Sequence, residues 1–486
     1  MSPDPRLCNS CAYQQIVPNT RGSRFSLCKR AKDEPDRFPR YPRLPVTQCR
    51  GYELDLHAGG SLPGAFARCW HPAPLIRDVD GRWLTGTEVD ERSAEAAEQF
   101  STGQRVMLEA GNDAGYLITY LGVLRAGAIA VPVNPAYTET EVARIRDAAA
   151  PQPAGGPVRP PTESDPALLL FTSGTTGTPK GALLSHGNLL ASARAVGHAW
   201  QWSPQDTLLL TLPLFHMHGL GVGLHGALAA GSRIVLRPGF DSADVAEQAG
   251  EATMFFGVPA MYERLTRAGV LSALAGMRLL VSGSAPLSVA LSDEVAAGAG
   301  QRPLERYGMT ETVMISGNPL AGPRKPGTVG VPFAGVDVRL ADGGEIEVRG
   351  PNVLQAYDGG IGADAFTDDG WFRTGDLGEF DEDGYLRISG RLKELIISGG
   401  FNVYPREVED VVATFPGVVE VAVIGRASEK WGEEVTAVIV SEGDLDVAEL
   451  RAFAGVRLAP YKVPKTVEIV EALPRNALGK VVRGLL

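Results

Sequence analysis

Residues 167–181 read Ala-Leu-Leu-Leu-Phe-Thr-Ser-Gly-Thr-Thr-Gly-Thr-Pro-Lys-Gly. The apolar start, Ala167–Phe171, is typical of a short buried strand. In the loop after it, Gly174 and Gly177 have the backbone freedom to point successive N–H groups into one concavity, and Lys180 adds a cation. The loop also carries four hydroxyl donors, Thr172, Ser173, Thr175 and Thr176. This combination suits a triphosphate, although Pro179 before the lysine distinguishes it from the common Gly-Lys-Ser/Thr phosphate loop.

Strands and helices alternate along the chain after this loop. A helix-periodic stretch covers residues 188–200, and the pattern then predicts strands at 233–236, 253–257 and 278–281 and helices at 243–251 and 260–267. Such alternation is typical of crossover units and predicts a parallel sheet with helices on both faces. Residues 336–349 instead follow the pattern of an antiparallel hairpin. The chain from Arg391 onward mixes strands with helices and predicts a separate small domain.

The composition argues against several classes of protein. Of the 486 residues, 44% are hydrophobic and 21% are charged, as in an ordinary globular protein. The formal net charge of -11 argues against nucleic-acid binding by the whole protein, because phosphate backbones bind basic surfaces. No run approaches the roughly 20 apolar residues that a membrane-spanning helix needs, and the first residues lack the apolar core of an export signal. We therefore expect a cytoplasmic protein without a membrane span.

The first 55 residues differ in kind from the rest. Residues 1–50 hold ten Lys or Arg and four Asp or Glu, and they contain the pattern Cys8-x₂-Cys11-x₁₆-Cys28-x₂₀-Cys49. Four thiolates suit tetrahedral zinc or an iron–sulfur cluster, and metal binding would supply folding free energy to a segment with few apolar residues. The spacing leaves zinc, an iron–sulfur cluster and unmetallated thiols open. The basic charge leaves open an acidic protein partner, a nucleic acid or simple solvation of the module.

Six segments beyond the phosphate loop combine glycine with charged or hydroxyl residues. They are Leu212-Pro-Leu-Phe-His-Met-His-Gly219, Ser282-Gly-Ser-Ala-Pro286, Glu305-Arg-Tyr-Gly-Met-Thr-Glu-Thr312, Trp371-Phe-Arg-Thr-Gly-Asp376, Gly390-Arg-Leu-Lys-Glu-Leu-Ile-Ile-Ser-Gly-Gly-Phe-Asn-Val-Tyr-Pro405 and Pro474-Arg-Asn-Ala-Leu-Gly-Lys480. In this order they resemble the adenylate-forming (AMP-binding) enzymes, which include acyl-CoA synthetases, luciferases and the adenylation domains of peptide synthetases. The resemblance covers the chain from about residue 60 to the C-terminus. The sequences of these segments are most similar to those of malonyl-CoA and fatty-acyl-CoA synthetases.

The resemblance implies both a fold and a reaction. The fold class is α/β: a Cys-rich module at 1–55, a large domain at 56–390 with parallel sheets, helices and a distorted antiparallel barrel, and a small mobile α+β domain at 391–486. The reaction is the ATP-dependent activation of a carboxylic acid as acyl-AMP, with release of pyrophosphate, followed by transfer of the acyl group to CoA. Mg²⁺ is the implied metal ion. Because two anions meet in the first step, the site must supply positive charge.

The resemblance also assigns the nucleotide site. Lys180 and the hydroxyl loop steady the β- and γ-phosphates, and Glu311, next to Thr310, offers Mg²⁺ an oxygen ligand. Asp376 is the implied ribose anchor, and Arg391 assists at the ribose or the phosphates. The implied adenine slot is lined by Gly283, Ser284, Ala285 and Tyr307, with Tyr307 as its stacking face.

Catalysis and domain rotation are assigned in the same way. Lys480 is the implied catalytic lysine, which bridges the attacking carboxylate and the α-phosphate, and His216 resembles a family residue near the reactive carboxylate. Lys393 lies where the family has a hinge between its domains. After rotation, the small domain is expected to present Ser398, Gly399 and Gly400 to the pantetheine arm of CoA.

The acid itself is predicted less directly. The expected pocket is lined by Met217, Val222, Val258, Met309 and Val313, which are apolar. A second carboxylate, as in malonate, needs a cation, which we expect in the helix after Pro286, yet residues 287–300 contain no Lys or Arg. This favours an aliphatic monocarboxylic acid, with Arg233 and Arg237 as substitutes if a cation is needed. The alternatives are a malonyl-CoA synthetase, a ligase that loads a carrier protein, and a metal-module scaffold with a retired ligase domain.

Overall fold

The computed structural model describes residues 14–18, 24–28, 32, 60–109, 111–150, 159–172, 180–360, 362–475 and 481–486 of the protein. The α-helices within these ranges are Leu62–Phe66, Gly86–Ala97, Ala114–Arg125, Glu139–Ala149, His186–Ala199, His225–Ala230, Ser242–Gln248, Pro259–Arg267, Val289–Ala299, Pro405–Val412 and Val447–Gly455. A π-helical turn, His218–Leu224, precedes the sixth of them. No helix in the described ranges has the length and apolar character needed to cross a bilayer.

The largest sheet is parallel at its centre. Its strands, in order across the sheet, are Val331–Pro332, Ser316–Gly317, Leu304–Tyr307, Leu279–Ser282, Met254–Gly257, Thr207–Leu210, Arg233–Leu236, Pro74–Arg77 and Trp83–Thr85. The six strands in the middle are parallel, and the two at one edge and the one at the other are antiparallel to their neighbours. The α/β fold and the parallel sheet predicted from the alternating pattern are therefore confirmed.

Alternate residues of this sheet face two different hydrophobic clusters. Leu208 and Phe256 belong to the main cluster, whereas their neighbours Leu209 and Phe255 belong to a second cluster on the other face. This follows from the two-residue period of a strand. Helix Val289–Ala299 packs into the second cluster.

A second sheet carries the phosphate loop. Its strands are Arg105–Glu109, Ile129–Val133, Pro166–Thr172 and Lys180–Ser185. The first three are parallel, and the last two form an antiparallel pair in which Thr172 is opposite Lys180. Residues 173–179, between these two partners, lie outside the described ranges. The two ends of the loop are thus held side by side by strand pairing.

Two more sheets complete the C-terminal half. The antiparallel barrel strands are Asp337–Leu340, Glu345–Arg349, Phe372–Phe380 and Leu386–Arg391, so the hairpin predicted at 336–349 is confirmed. The last sheet contains Phe401–Val403, Ile396–Ser398, Gly432–Ser441, Val418–Ser428 and Thr466–Ile469. Helices Pro405–Val412 and Val447–Gly455 contribute to a hydrophobic cluster of their own with this last sheet.

The N-terminal segment is described only in part. Strands Gln14–Pro18 and Arg24–Cys28 form an antiparallel hairpin in which Gln14 is opposite Cys28. Cys8, Cys11 and Cys49 lie outside the described ranges. Within those ranges, no group of three His, Cys, Asp or Glu side chains is arranged to hold a metal ion. The predicted zinc or iron–sulfur site therefore stays a prediction.

Candidate active site

Lys180 and Glu311 are linked through one tyrosine. The Tyr357 hydroxyl donates a hydrogen bond of 2.9 Å to Oε1 of Glu311, and the Lys180 Nζ lies 5.6 Å from the centroid of the same ring. Glu311 is only 6% exposed, and burial raises the pKa of its carboxyl. The structure thus brings the predicted phosphate lysine and the predicted metal ligand to one place.

A second group consists of Tyr307, Asp376 and Arg391. The Tyr307 hydroxyl donates a 2.6 Å hydrogen bond to Oδ2 of Asp376, and Nε of Arg391 lies 2.9 Å from Oδ1. Each carboxylate oxygen can accept a further hydrogen bond, so Asp376 retains capacity for ribose hydroxyls. Tyr307 was predicted as a stacking face for adenine; the structure adds that its hydroxyl orients Asp376.

The third group lies at residue 284 and contains a buried arginine that we did not predict. Nη2 of Arg306 donates to the Ser284 hydroxyl at 3.2 Å, and this hydroxyl lies 3.3 Å from Nδ1 of His218. Arg306 is 6% exposed, its Nε is buried without a hydrogen-bond partner among the described residues, and none of their carboxylates forms an ion pair with it. Gly283 leaves room for this side chain, because a Cβ there would overlap the guanidinium group.

The predicted apolar lining gathers around the π-helical turn His218–Leu224. A Cβ added at Gly221 would meet the side chains of both Met217 and Val313, so these two flank the turn. Val313 has φ 56° and Ser284 has φ 69°, left-handed values that are strained for residues other than glycine. Val222 is buried in the main cluster, and Val258 and Met309 pack against it. Strained residues and a π-turn are both common at functional sites.

Sequence comparison identifies the family to which these groups belong. The pattern of the AMP-binding enzyme family matches residues 65–152 and 146–358, and the pattern of the AMP-binding enzyme C-terminal domain matches residues 407–480. The chain belongs to the AMP-binding enzyme family. The resemblance stated from the seven sequence segments is therefore confirmed at the level of the family.

Its relatives in this family include CoA ligases of several kinds. The AMP-binding chain is 42% identical over 363 residues to the indoleacetate–CoA ligase of Aromatoleum aromaticum, a match that covers 71% of the chain and 70% of the relative. It is 38% identical over 361 residues to the malonate–CoA ligase of Arabidopsis thaliana, covering 65% of the chain and 59% of the relative. The crystal structure of ATP-bound MatB from Rhodopseudomonas palustris superposes with a TM-score of 0.80 at 36% identity, covering 87% of this chain and 98% of that one. The protein is an acid–thiol ligase of the acyl-CoA synthetase type.

The donor set at Glu311 fits the Mg²⁺ that AMP-binding ligases use with ATP. A buried carboxylate is a hard oxygen donor, and its raised pKa shows that the ionised form lacks sufficient compensation in the protein alone. A divalent cation bound at this carboxylate would supply that compensation. The residues present therefore suit the ion.

The residues predicted for the hinge and for CoA lie in the smaller C-terminal unit. Lys393 is in the short turn Leu392–Glu394, and Arg483 pairs with Glu394 of this turn at 2.9 Å. Gly399 and Gly400 have φ values of 59° and 83°, which favour glycine, and the Gly399 N–H donates to the carbonyl of Trp431. Ser398 is buried beside them. The turn contacts strand Phe372–Phe380 as well as Arg483, and the hinge role of Lys393 and the role of residues 398–400 toward CoA stay predictions.

The structure does not test the predictions for His216 and Lys480. His216, which was predicted near the reactive carboxylate, accepts a hydrogen bond from the His218 N–H at 3.3 Å. Lys480 and residues 173–179 lie outside the described ranges. Two residues of the site, Arg306 and Tyr357, were not singled out from the sequence. The sequence feature that could have identified Arg306 is its position between Glu305 and Tyr307 in a short strand. An arginine in a buried four-residue strand is unusual and therefore indicates a functional role.

Proposed function

We propose that this acyl-CoA synthetase acts on a short dicarboxylic acid of the malonate type. The observation that supports it is the buried Arg306 without a carboxylate partner among the described residues. Burial lowers the pKa of Arg306 to about 9, because the charged form loses its hydration. A buried cation of this kind is unfavourable unless an anion pairs with it. The second carboxylate of the acid would be that anion.

The strand geometry supports recognition of a two-ended substrate. Tyr307 and Arg306 are neighbours in strand Leu304–Tyr307, so their side chains project to opposite faces. Tyr307 contacts Asp376 of the nucleotide group, whereas Arg306 contacts Ser284, whose hydroxyl lies 3.3 Å from His218 in the π-helical turn beside the predicted acid pocket. The acid would bind at the end of this strand, with one carboxylate at the nucleotide group and the other at Arg306.

The sequence-based reason for preferring a monocarboxylic acid loses its weight. That reason was the lack of Lys or Arg at 287–300, but helix Val289–Ala299 packs into the second hydrophobic cluster, away from the cluster that contains Met217 and Val313. The helix residues in or against that cluster are Leu291, Val295 and Ala299. The two substitutes are also engaged elsewhere: Arg237 forms hydrogen bonds of 2.6 and 2.8 Å with Asp244, and Arg233 lies over the ring of Trp83.

An aliphatic monocarboxylic acid is the second candidate, and the apolar lining favours it. Met217 and Val313, which flank Gly221, would pack against an alkyl chain. Such a substrate would leave Arg306 without an anion. The two candidates therefore differ in whether this guanidinium group is used.

In the proposed reaction each chain residue has a limited task. Lys180 steadies the phosphates, Asp376 and Tyr307 orient the ribose, and Lys480 approaches the α-phosphate as the carboxylate attacks it. Glu311 would hold Mg²⁺, which when bound would neutralise charge on the phosphates. The mixed anhydride then passes its acyl group to the thiol of CoA.

A panel of acids tests the substrate proposal. With ATP, Mg²⁺ and CoA, we expect kcat/KM for malonate to exceed that for butyrate and dodecanoate by about 100-fold or more, because Arg306 is left unpaired by a monocarboxylate. AMP release measured for each acid gives these values. Higher kcat/KM with butyrate or dodecanoate would favour the second candidate. Replacing CoA with a phosphopantetheinylated carrier protein in the same assay tests the carrier-loading alternative.

We also propose that the N-terminal cysteines hold one zinc ion. The hairpin supports this, because Gln14 is paired with Cys28, and Cys11 lies three residues before Gln14. Three residues of extended chain span at most about 10 Å, which is short enough for one metal ion to bind the thiolates of both Cys11 and Cys28. An iron–sulfur cluster would use the same four thiolates.

Metal analysis of the full chain tests this module. We expect about one zinc per chain, and its loss when Cys8, Cys11, Cys28 and Cys49 are all replaced by serine, since a tetrahedral site needs four ligands. Cys69→Ser is the control, because Cys69 is buried in the large domain and donates to the carbonyl of Leu228. Visible absorption with bound iron would indicate the cluster instead. A chain without stoichiometric metal would contradict both forms of the proposal.

A further inference from the structure

Tyr357 contacts two groups on which the proposed function depends. Its hydroxyl donates to Oε1 of Glu311 at 2.9 Å, and its ring lies 5.6 Å from the Nζ of Lys180. The π-face of a tyrosine ring attracts an ammonium group, and its hydroxyl is a hydrogen-bond donor to a carboxylate. One side chain thus orients both a cation for the phosphates and an anion for the metal.

The surroundings of Tyr357 hold it in one place. Its backbone forms an antiparallel bridge with Ala182, two residues after Lys180 in the strand that follows the phosphate loop. The next residue, Asp358, pairs with Arg105 through two hydrogen bonds of 2.5 and 3.0 Å. The ring lies close to Gly362, where an added Cβ would come within 2.9 Å of it. The hydroxyl is therefore preorganised rather than dependent on the bound nucleotide.

We propose that Tyr357 is a positioning residue for the divalent cation of ATP, because its hydroxyl fixes the rotation of the Glu311 carboxylate. With Oε1 engaged, the carboxylate presents its other oxygen in a defined direction. Hydrogen-bonding partners of metal ligands commonly set ligand orientation in this way, and their loss weakens metal binding by about 10- to 100-fold. The inference rests on the proposed function, in which Glu311 binds Mg²⁺.

A second tyrosine provides a matched control. Tyr385 is also buried, its hydroxyl donates to the carbonyl of Pro323 at 2.9 Å, and the Nζ of Lys325 lies 4.4 Å from its ring centroid. It combines the same three features but contacts no residue of the candidate site. Tyr385→Phe therefore removes a buried hydroxyl with a nearby lysine and has no route to the metal.

Mn²⁺ binding measured by electron paramagnetic resonance tests the proposal. The full chain is incubated with a non-reactive ATP analogue and titrated with Mn²⁺, and the dissociation constant is read from the free-ion signal. We expect Tyr357→Phe to raise this constant about 10- to 100-fold, and Tyr385→Phe to leave it unchanged. In Glu311→Gln, the further change Tyr357→Phe should add nothing, because the hydroxyl acts through the carboxylate.

The outcomes separate this inference from the function on which it rests. If the unaltered chain binds Mn²⁺ with the analogue and Tyr357→Phe binds it equally well, Tyr357 has only a structural role and the inference is wrong. If both tyrosine variants weaken binding alike, a general loss of packing explains the effect and the inference is again wrong. If the unaltered chain binds no Mn²⁺, the proposed metal site at Glu311 fails, and the inference fails with it.

Discussion

Replacing Lys480 with alanine is expected to slow adenylation about 1,000-fold while ATP binding is retained. The ammonium group is proposed to bridge the attacking carboxylate and the α-phosphate, where negative charge accumulates in the transition state. An interaction of that kind stabilises the transition state more than the bound substrates, so its loss lowers the rate rather than the affinity. Acid-dependent exchange of labelled pyrophosphate into ATP measures this half-reaction alone.

The described residues on either side of the segment that contains Lys480 contact each other. Arg475 and Val481 form an antiparallel bridge, and the Val482 N–H donates to the carbonyl of Pro474 at 2.8 Å. Arg475 also pairs with Glu420 at 2.8 Å. The chain that enters the segment and the chain that leaves it are therefore paired with each other.

Lys430 supplies the control for this prediction. It is an exposed lysine in the turn between strands Val418–Ser428 and Gly432–Ser441 of the same unit. Lys430→Ala should exchange pyrophosphate at the rate of the unaltered chain, since a solvated lysine contributes nothing to the anionic transition state. Near-normal exchange in Lys480→Ala, with the Lys430 variant unchanged, would mean that another group bridges the two anions.

Much of the fold follows from local sequence patterns. The strand at Arg233–Leu236 was predicted with its observed bounds, and 253–257 was observed as Met254–Gly257. These segments are short, apolar and bounded by turns, so local pattern alone determines them. The phosphate loop was recognised for the same reason, because its glycines, hydroxyls and lysine are consecutive.

The position of a helix relative to the sheet was not predictable in this way. The pattern at 287–300 indicates a helix but not the face of the sheet that it covers. A helix covers the face of the sheet whose strand residues pack against it. In a strand that is buried on both sides, the residues on both faces are apolar, so the sequence does not distinguish the two faces. The absence of Lys and Arg at 287–300 therefore does not by itself decide which acid is bound.

Arg306 and Tyr357 were missed because their partners are distant in the sequence. Ser284 is 22 positions from Arg306, and Glu311 is 46 positions from Tyr357. A sequence motif identifies residues within one continuous segment, whereas these contacts join residues of different segments. Only the tertiary structure reveals that Arg306 is buried without a carboxylate partner among the described residues. The same holds for the hydrogen bond that the Tyr357 hydroxyl donates to the predicted metal ligand.

Replacing Arg306 with leucine is expected to reduce kcat/KM for malonate by about 30- to 5,000-fold, the range for losing one partner of a buried charge pair. Activity with butyrate should persist or rise, because leucine extends the apolar lining. Arg306→Lys keeps the charge but not the planar fork that pairs with a carboxylate, so it should recover only part of the malonate activity. Initial rates of AMP release with each acid measure these changes.

Stability distinguishes a substrate-binding Arg306 from a structural one. Without substrate, the buried guanidinium group is uncompensated, so Arg306→Leu should unfold at the same temperature as the unaltered chain or higher. Arg233→Leu is the control, since this exposed arginine lies over Trp83 and should leave the malonate rate unchanged. A lower unfolding temperature in Arg306→Leu, with equal loss of activity toward malonate and butyrate, would mean that the arginine supports the pocket structurally. Retention of malonate activity would mean that a different group receives the second carboxylate.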